Sequence, residues 1–163
     1  MSSSTTISIR DATSNDLANL KQVIDSSELF PSEMLDDMIA GYLAGTEDCL
    51  WLTADDDNDD TQTLIAYCAP EKMTEGTWNL YLIAVHKNKQ GTGIGTQALQ
   101  HLQEQLVAKK QARVLLVETS GLDEFAQTRK FYLKNGFVEE ARIRDFYKQG
   151  ENKVVYWKSL VSK

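Results

Sequence analysis

The chain has no apolar run approaching the roughly 20 residues that span a bilayer. Nor does it open with the charged, apolar, small-residue order of a secretion leader, so a cytoplasmic protein with no membrane partner is expected. Cysteine is scarce. Cys49 and Cys68 stand in apolar, strand-like surroundings with no His or second Cys at metal-ligand spacing, and they read as two small core residues. Positive charge is also short, with 17 Lys and Arg against 24 Asp and Glu giving a net charge of −7. Nucleic-acid binding rests on basic patches that release phosphate counterions, so that class is excluded. A cationic substrate, such as an amine or a lysine side chain, is favoured over an anionic one. Much of the acidic excess lies in Asp55 to Asp60, interrupted by Asn58. Its spacing begins like a calcium loop, but Asp60 stands where that loop needs glycine and Ala66 where it needs glutamate. The run reads as a solvated hairpin loop, and no metal is expected.

What is present fits an ordinary folded domain. A chain of 163 residues, 42% hydrophobic and 25% charged, can bury a sizeable core as one domain over residues 1–163. The polar start, Met1 to Thr6, is expected to fray. Ile7 to Arg10 alternates as a short strand, and Thr13 or Ser14 caps a helix with Leu17, Leu20, Val23 and Ile24 on its apolar stripe. Pro31 and Ser32 open a second helix, carrying Met34, Leu35, Met38, Ile39 and Tyr42 and closed by Gly45. Cys49 to Thr53 and Thr63 to Ala69 read as a hairpin around the acidic loop, the second strand ending at Pro70. Trp78 to Val85 is almost wholly apolar, which predicts a central strand buried on both faces. A long helix follows from Gly93 to Lys110, then a strand at Val114 to Thr119, a helix at Asp123 to Asn135, and strands at Phe137 to Phe146 and Val154 to Trp157. The order is that of a mixed α/β domain.

The segment Gln90-Gly91-Thr92-Gly93-Ile94-Gly95 sits between the central strand and the long helix. A strand, a glycine turn and a helix in that order present backbone N–H groups and a helix N-terminus to an anion. A nucleotide-triphosphate loop would need Lys-Ser or Lys-Thr after its last glycine, whereas Gly95 is followed by Thr96-Gln97. A dinucleotide loop would place its third glycine at position 96, one residue later than Gly95. The remaining pattern, Gln-x-x-Gly-x-Gly after Ile83-Ala84-Val85-His86, closely resembles the acyl-CoA loop of the GNAT family, the Gcn5-related N-acetyltransferases. One strand and one helix later, Phe131-Tyr132-Leu133-Lys134-Asn135-Gly136-Phe137 resembles that family's Tyr-x-x-x-Gly-Phe segment.

The resemblance implies a mostly antiparallel sheet of about seven strands, helices on both faces and central strands that splay apart. It implies acetyl-CoA as co-substrate and transfer of acetyl to the primary amine of a small metabolite or amino acid. An acyl-CoA-binding protein without catalysis and a peptide N-acetyltransferase are the alternatives, and the family also admits a homodimer. The co-substrate would be held by Ile83, Ala84 and Val85 and by Gln90, Gly91, Thr92, Gly93, Ile94, Gly95 and Thr96. Tyr132 matches the family's proton donor to the departing thiolate. Many members carry a carboxylate at the position of Asn79, and an amide cannot take a proton, so Asn79 would instead orient a water. Glu118, inside an apolar strand, and Glu75, just before the central strand, are the candidate bases; either could instead join an ion pair, with Arg129 as one partner. Arg142, Arg144, Asp145 and Tyr147 approach the last hairpin, either to hold an amino-acid acceptor or as a solvated edge strand.

Overall fold

The computed structural model describes residues 7–57 and 63–161. The expected frayed start (1–6) and the tip of the acidic loop (58–62) lie outside them. In chain order the elements are β1 (Ile7–Asp11), α1 (Leu17–Ser27), α2 (Leu35–Leu43), β2 (Leu50–Asp56), β3 (Leu64–Pro70) and β4 (Thr77–Val85). They continue with α3 (Ile94–Lys110), β5 (Val114–Ser120), α4 (Ala126–Lys134), β6 (Val138–Lys148) and β7 (Glu151–Ser159). The strands make a seven-stranded sheet in the order β1-β2-β3-β4-β5-β7-β6. β4 and β5 run parallel, whereas β1–β2, β2–β3, β5–β7 and β6–β7 are antiparallel. The mixed α/β reading holds. Among the described residues no helix is long and apolar enough to cross a membrane.

Two compact units share the chain, one of Met1–Ala69 with Leu82–Gln105, the other of Pro70–Tyr81 with Leu106–Lys163. β4 therefore contributes its first half to the second unit and its second half to the first.

In the first unit, strand alternation sorts side chains to two faces. Trp51, Ile65 and Ala84 pack with Leu20, Val23 and Ile24 of α1 and with Leu35 and Ile39 of α2. Their neighbours Ala54, Leu64, Ile83 and Val85 pack instead with Ile94 and Ala98 of α3. Leu20, Val23, Ile24, Leu35 and Ile39 of the stripes read from the sequence are buried and Leu17, Met38 and Tyr42 partly so, whereas Met34, in the turn before α2, is 49% exposed. α1 is started by Thr13, whose main-chain N–H donates to Asp16 Oδ2 at 2.7 Å, and Asp16 in turn takes both terminal nitrogens of Arg10 at 2.8 Å. β2 runs further than the expected Cys49–Thr53, because Asp55 and Asp56 continue the pairing with Ser8 and Ile7. Asp55 receives Arg10 Nε at 2.6 Å and the buried Asp56 receives Lys89 Nζ at 3.1 Å. This part of the acidic run is thus ion-paired strand rather than solvated loop.

In the second unit, β4 pairs with β5 over Thr77–Leu80 and Val114–Val117, while β5 pairs with β7 along its whole length. The β4–β5 pairing covers Thr77 to Leu80, the first four residues of β4. One departure is Tyr81, which is 52% exposed although the apolar run around it predicted burial on both faces. Tyr132 on α4 packs edge-on against Phe131 and Phe137 and lies 5.8 Å, ring to ring, from Tyr156 of β7. β6 is the edge strand and is exposed along its length. β7 begins at Glu151, earlier than expected, because Gly150 turns the hairpin at φ +85°, a conformation glycine adopts without strain.

Candidate active site

The glycine segment is anchored on one side by α1 and on the other by α3. Ser26 Oγ accepts from the Lys87 N–H at 3.2 Å, Ser27 Oγ donates to the Val85 carbonyl at 3.4 Å, and the His86 N–H donates to the Thr63 carbonyl at 2.8 Å. Gln90 Nε2 reaches back to the Val85 carbonyl at 3.2 Å, and Thr92 Oγ1 donates to the Lys89 carbonyl at 2.7 Å. Those bonds fold the loop over the end of β4. Gly91 and Gly93 take φ +78° and +85°, and a Cβ built on either would meet nothing within 4 Å. Their φ angles, rather than crowding by protein atoms, therefore call for glycine here.

Among the described residues the N–H groups from Gly91 to Gly95 have no protein partner, as expected for a loop leading into a helix start. Ile94 is buried in the core below, so it anchors the turn while its main chain and those of Gly95 and Thr96 form the first turn of α3. The set Ile83, Ala84, Val85 and Gln90 to Thr96 is thus continuous along β4, the loop and α3. A row of unpaired N–H groups at a helix start, exposed at Gly91, Thr92 and Gly93 and with room beside both glycines, fits a pyrophosphate.

In the second unit the structure joins Asn79 and Glu118, and adds a residue the sequence did not signal. Asn79 Nδ2 donates to Glu71 Oε1 at 2.8 Å and to Glu118 Oε2 at 3.3 Å. The Tyr81 hydroxyl donates to the same Glu71 oxygen at 2.8 Å. Glu118 is paired with Lys153 Nζ at 2.5 Å, and that ammonium also lies 3.7 Å from the centre of the Phe146 ring. The ion-pair partner is therefore Lys153 of β7. Arg129 instead donates to the carbonyls of Ser120 and Leu122 at 2.8 and 2.7 Å, closing the turn before α4.

Glu75 is not brought to this cluster. It is exposed, and its carbonyl accepts from Arg113 Nε at 2.7 Å. Tyr132 is 4% exposed, and burial pushes its phenol above the usual tyrosine range, with the nearby Tyr156 adding to the shift. A phenol so placed stays protonated at neutral pH. The residues near the last hairpin are largely spent on the hairpin. Arg142 pairs with Glu139 at 3.0 Å, and Asp145 Oδ1 accepts from the Gly150 N–H at 2.8 Å. Among the described residues no group of three or more His, Cys, Asp or Glu is placed to hold a metal ion.

The model of the acetyltransferase (GNAT) domain matches residues 47–139, more than half of the chain, including the glycine loop and the Tyr132 segment. The chain belongs to the GNAT family. Among solved structures, a GNAT-family protein from Desulfovibrio desulfuricans is 28% identical, with a TM-score of 0.86 over 96% of this chain and 100% of that one. At 18% identity, the ribosomal-protein-S18-alanine N-acetyltransferase from Escherichia coli shares the fold, with a TM-score of 0.75 over 97% of this chain and 96% of that one. A Salmonella typhimurium protein solved with its cofactor acetyl-CoA is 16% identical, with a TM-score of 0.74 over 96% and 95% of the two chains. Among curated proteins none matches the chain in sequence.

Nothing in the sequence around Glu71 distinguished it. It follows Pro70 at a strand end, and its side chain meets Asn79 only because the Glu71 N–H bonds the Thr77 carbonyl at 2.8 Å and closes the β3–β4 turn. Lys153 was likewise hidden, since its partner depends on the register that sets Ser120 opposite it and Glu118 opposite Val155.

Proposed function

We propose that this GNAT protein transfers an acetyl group from acetyl-CoA to the primary amine of a small metabolite or amino acid, by direct attack and without a covalent enzyme intermediate. The observation that carries the reading is the row of N–H groups from Gly91 to Gly95, unpartnered among the described residues where β4 hands over to α3, with Gly91, Thr92 and Gly93 exposed. These groups, with Thr96, would hold the pyrophosphate without a counter-cation, which suits a protein of net charge −7. Main-chain groups of Ile83, Ala84 and Val85 would hold the pantetheine arm, and the N–H near Ile83 would polarise the reacting carbonyl. Bound acetyl-CoA supplies the activated thioester.

Tyr132 is assigned as the proton donor to the departing sulfur, a role its burial supports by keeping the phenol neutral. Asn79 orients the acceptor side rather than taking a proton, and Glu118 stands next to it. The test is thiol release from acetyl-CoA across a panel of monoamines, polyamines, amino acids and peptides. Amine-dependent release with small amines supports the reading. Release with peptides alone would move the acceptor class, and tight CoA binding without turnover would replace the enzyme by a binding protein.

A further inference from the structure

The carboxylates near Asn79 differ in what offsets their charge. Glu118 is matched by the Lys153 ammonium, itself seated on Phe146, and protonating Glu118 would strand a mostly buried cation. Glu75 faces solvent. Glu71 is half-buried, and among the described residues it receives only neutral donors, the Asn79 amide and the Tyr81 hydroxyl. Both bond to Oε1, which fixes the carboxylate and leaves Oε2 without a partner among the described residues. The amide that holds it carries a second signal. Asn79 is 3% exposed, yet among the described residues its Oδ1 has no hydrogen-bond partner. A buried carbonyl left unpaired is unfavourable, so this oxygen is suited to a water or an incoming N–H donor.

We propose that Glu71 is the general base of the transfer, receiving the acceptor's ammonium directly or through one water seated on Asn79 Oδ1. This rests on the acetyl-transfer reading above. The acceptor arrives as an ammonium and gives one proton to Glu71 Oε2, from which it passes to solvent. The freed nitrogen lone pair forms the C–N bond to the thioester carbonyl carbon, and the C–S bond breaks with its electron pair on sulfur. The second nitrogen proton is balanced by the one that ends on sulfur, so amide, thiol and one released proton result. The charged and titratable groups around Glu71 are Tyr81 on its own side of β4, Glu118 on β5, and beyond Glu118 the Lys153 ammonium on β7. Tyr147 on β6 also feels the Glu118 charge.

Glu71→Gln tests the assignment, because a glutamine oxygen can still accept from Asn79 and Tyr81 and so preserve the fold, as a melting curve would verify. The expected result is a fall of about 100-fold or more in kcat/KM for the amine, together with loss of the acid limb of its pH profile. KM for acetyl-CoA should stay unchanged. A Glu71→Gln enzyme that keeps the acid limb and near-normal kcat/KM overturns the inference alone. A wild-type protein that releases no thiol with any amine overturns the acetyl-transfer reading and this inference with it.

Discussion

Asp16 shows how one side chain decides what acid does to the fold. It is buried, and the Arg10 guanidinium, bonded to it at 2.8 Å through both terminal nitrogens, holds its carboxyl below the ordinary value of 3.8 against the opposing effect of burial. A lowered folded value means the contribution is complete above the ordinary carboxylate range and is lost as pH falls through the folded value. Removing one partner of a buried pair costs about 3–5 kcal/mol, and the partial exposure of Arg10 screens that toward about 2 kcal/mol. Asp16→Asn should therefore lower stability at pH 7 in a urea melt, with the gap to wild type narrowing as the pH falls below the ordinary value. Tyr132 makes a different prediction. Its ring contacts with Phe137 and Tyr156 survive in phenylalanine, so Tyr132→Phe should melt normally while kcat falls about 100-fold. Because burial raises the phenol, Tyr132 should impose no loss of activity on the basic side below its ordinary value of 10.

At the scale of elements, the loop between β4 and α3 is where backbone geometry bears on the proposed CoA binding. Gly93 sits at φ +85° with open space where a Cβ would go, so Gly93→Ala clashes with nothing and meets only the strain of a left-handed L-residue, about 1–2 kcal/mol. The relaxed loop would turn its N–H groups aside, and calorimetry should show CoA affinity falling about tenfold, with only a modest change in melting without ligand. This loop was legible because its signal is local: glycines at fixed spacing, an apolar strand before and a helical stripe after. The stripes of α1 and α2 were legible for the same reason. The Glu71 cluster was not, since it needs a turn, a strand and a neighbouring strand to meet in three dimensions. Asp55 and Asp56 misled for a related reason. Their strand character comes from pairing with β1 and from Arg10 and Lys89, partners distant in sequence. Tyr81 is exposed despite its apolar neighbours, because the β4–β5 ladder stops one residue before it.

For the whole molecule, a net charge of −7 sets the field in which the acceptor arrives. Raising ionic strength from about 0.01 M to about 0.15 M shortens the screening length from about 30 Å to about 8 Å. If a cationic amine is steered in, its kcat/KM should drop roughly threefold over that range while that of an uncharged acceptor stays level. Fold and family were readable from two motifs and their order. The acceptor was not, because Arg142 and Asp145, the polar residues considered for holding it, are bonded within the last hairpin itself. The central claim is that the loop from Gln90 to Gly95 holds acetyl-CoA for transfer of its acetyl group to an amine. Thiol release from acetyl-CoA, followed with and without a panel of small primary amines, tests it most directly. Release that depends on an amine and yields its N-acetyl product is the expected result. CoA bound tightly in calorimetry, with no amine in the panel accelerating thiol release, would contradict it.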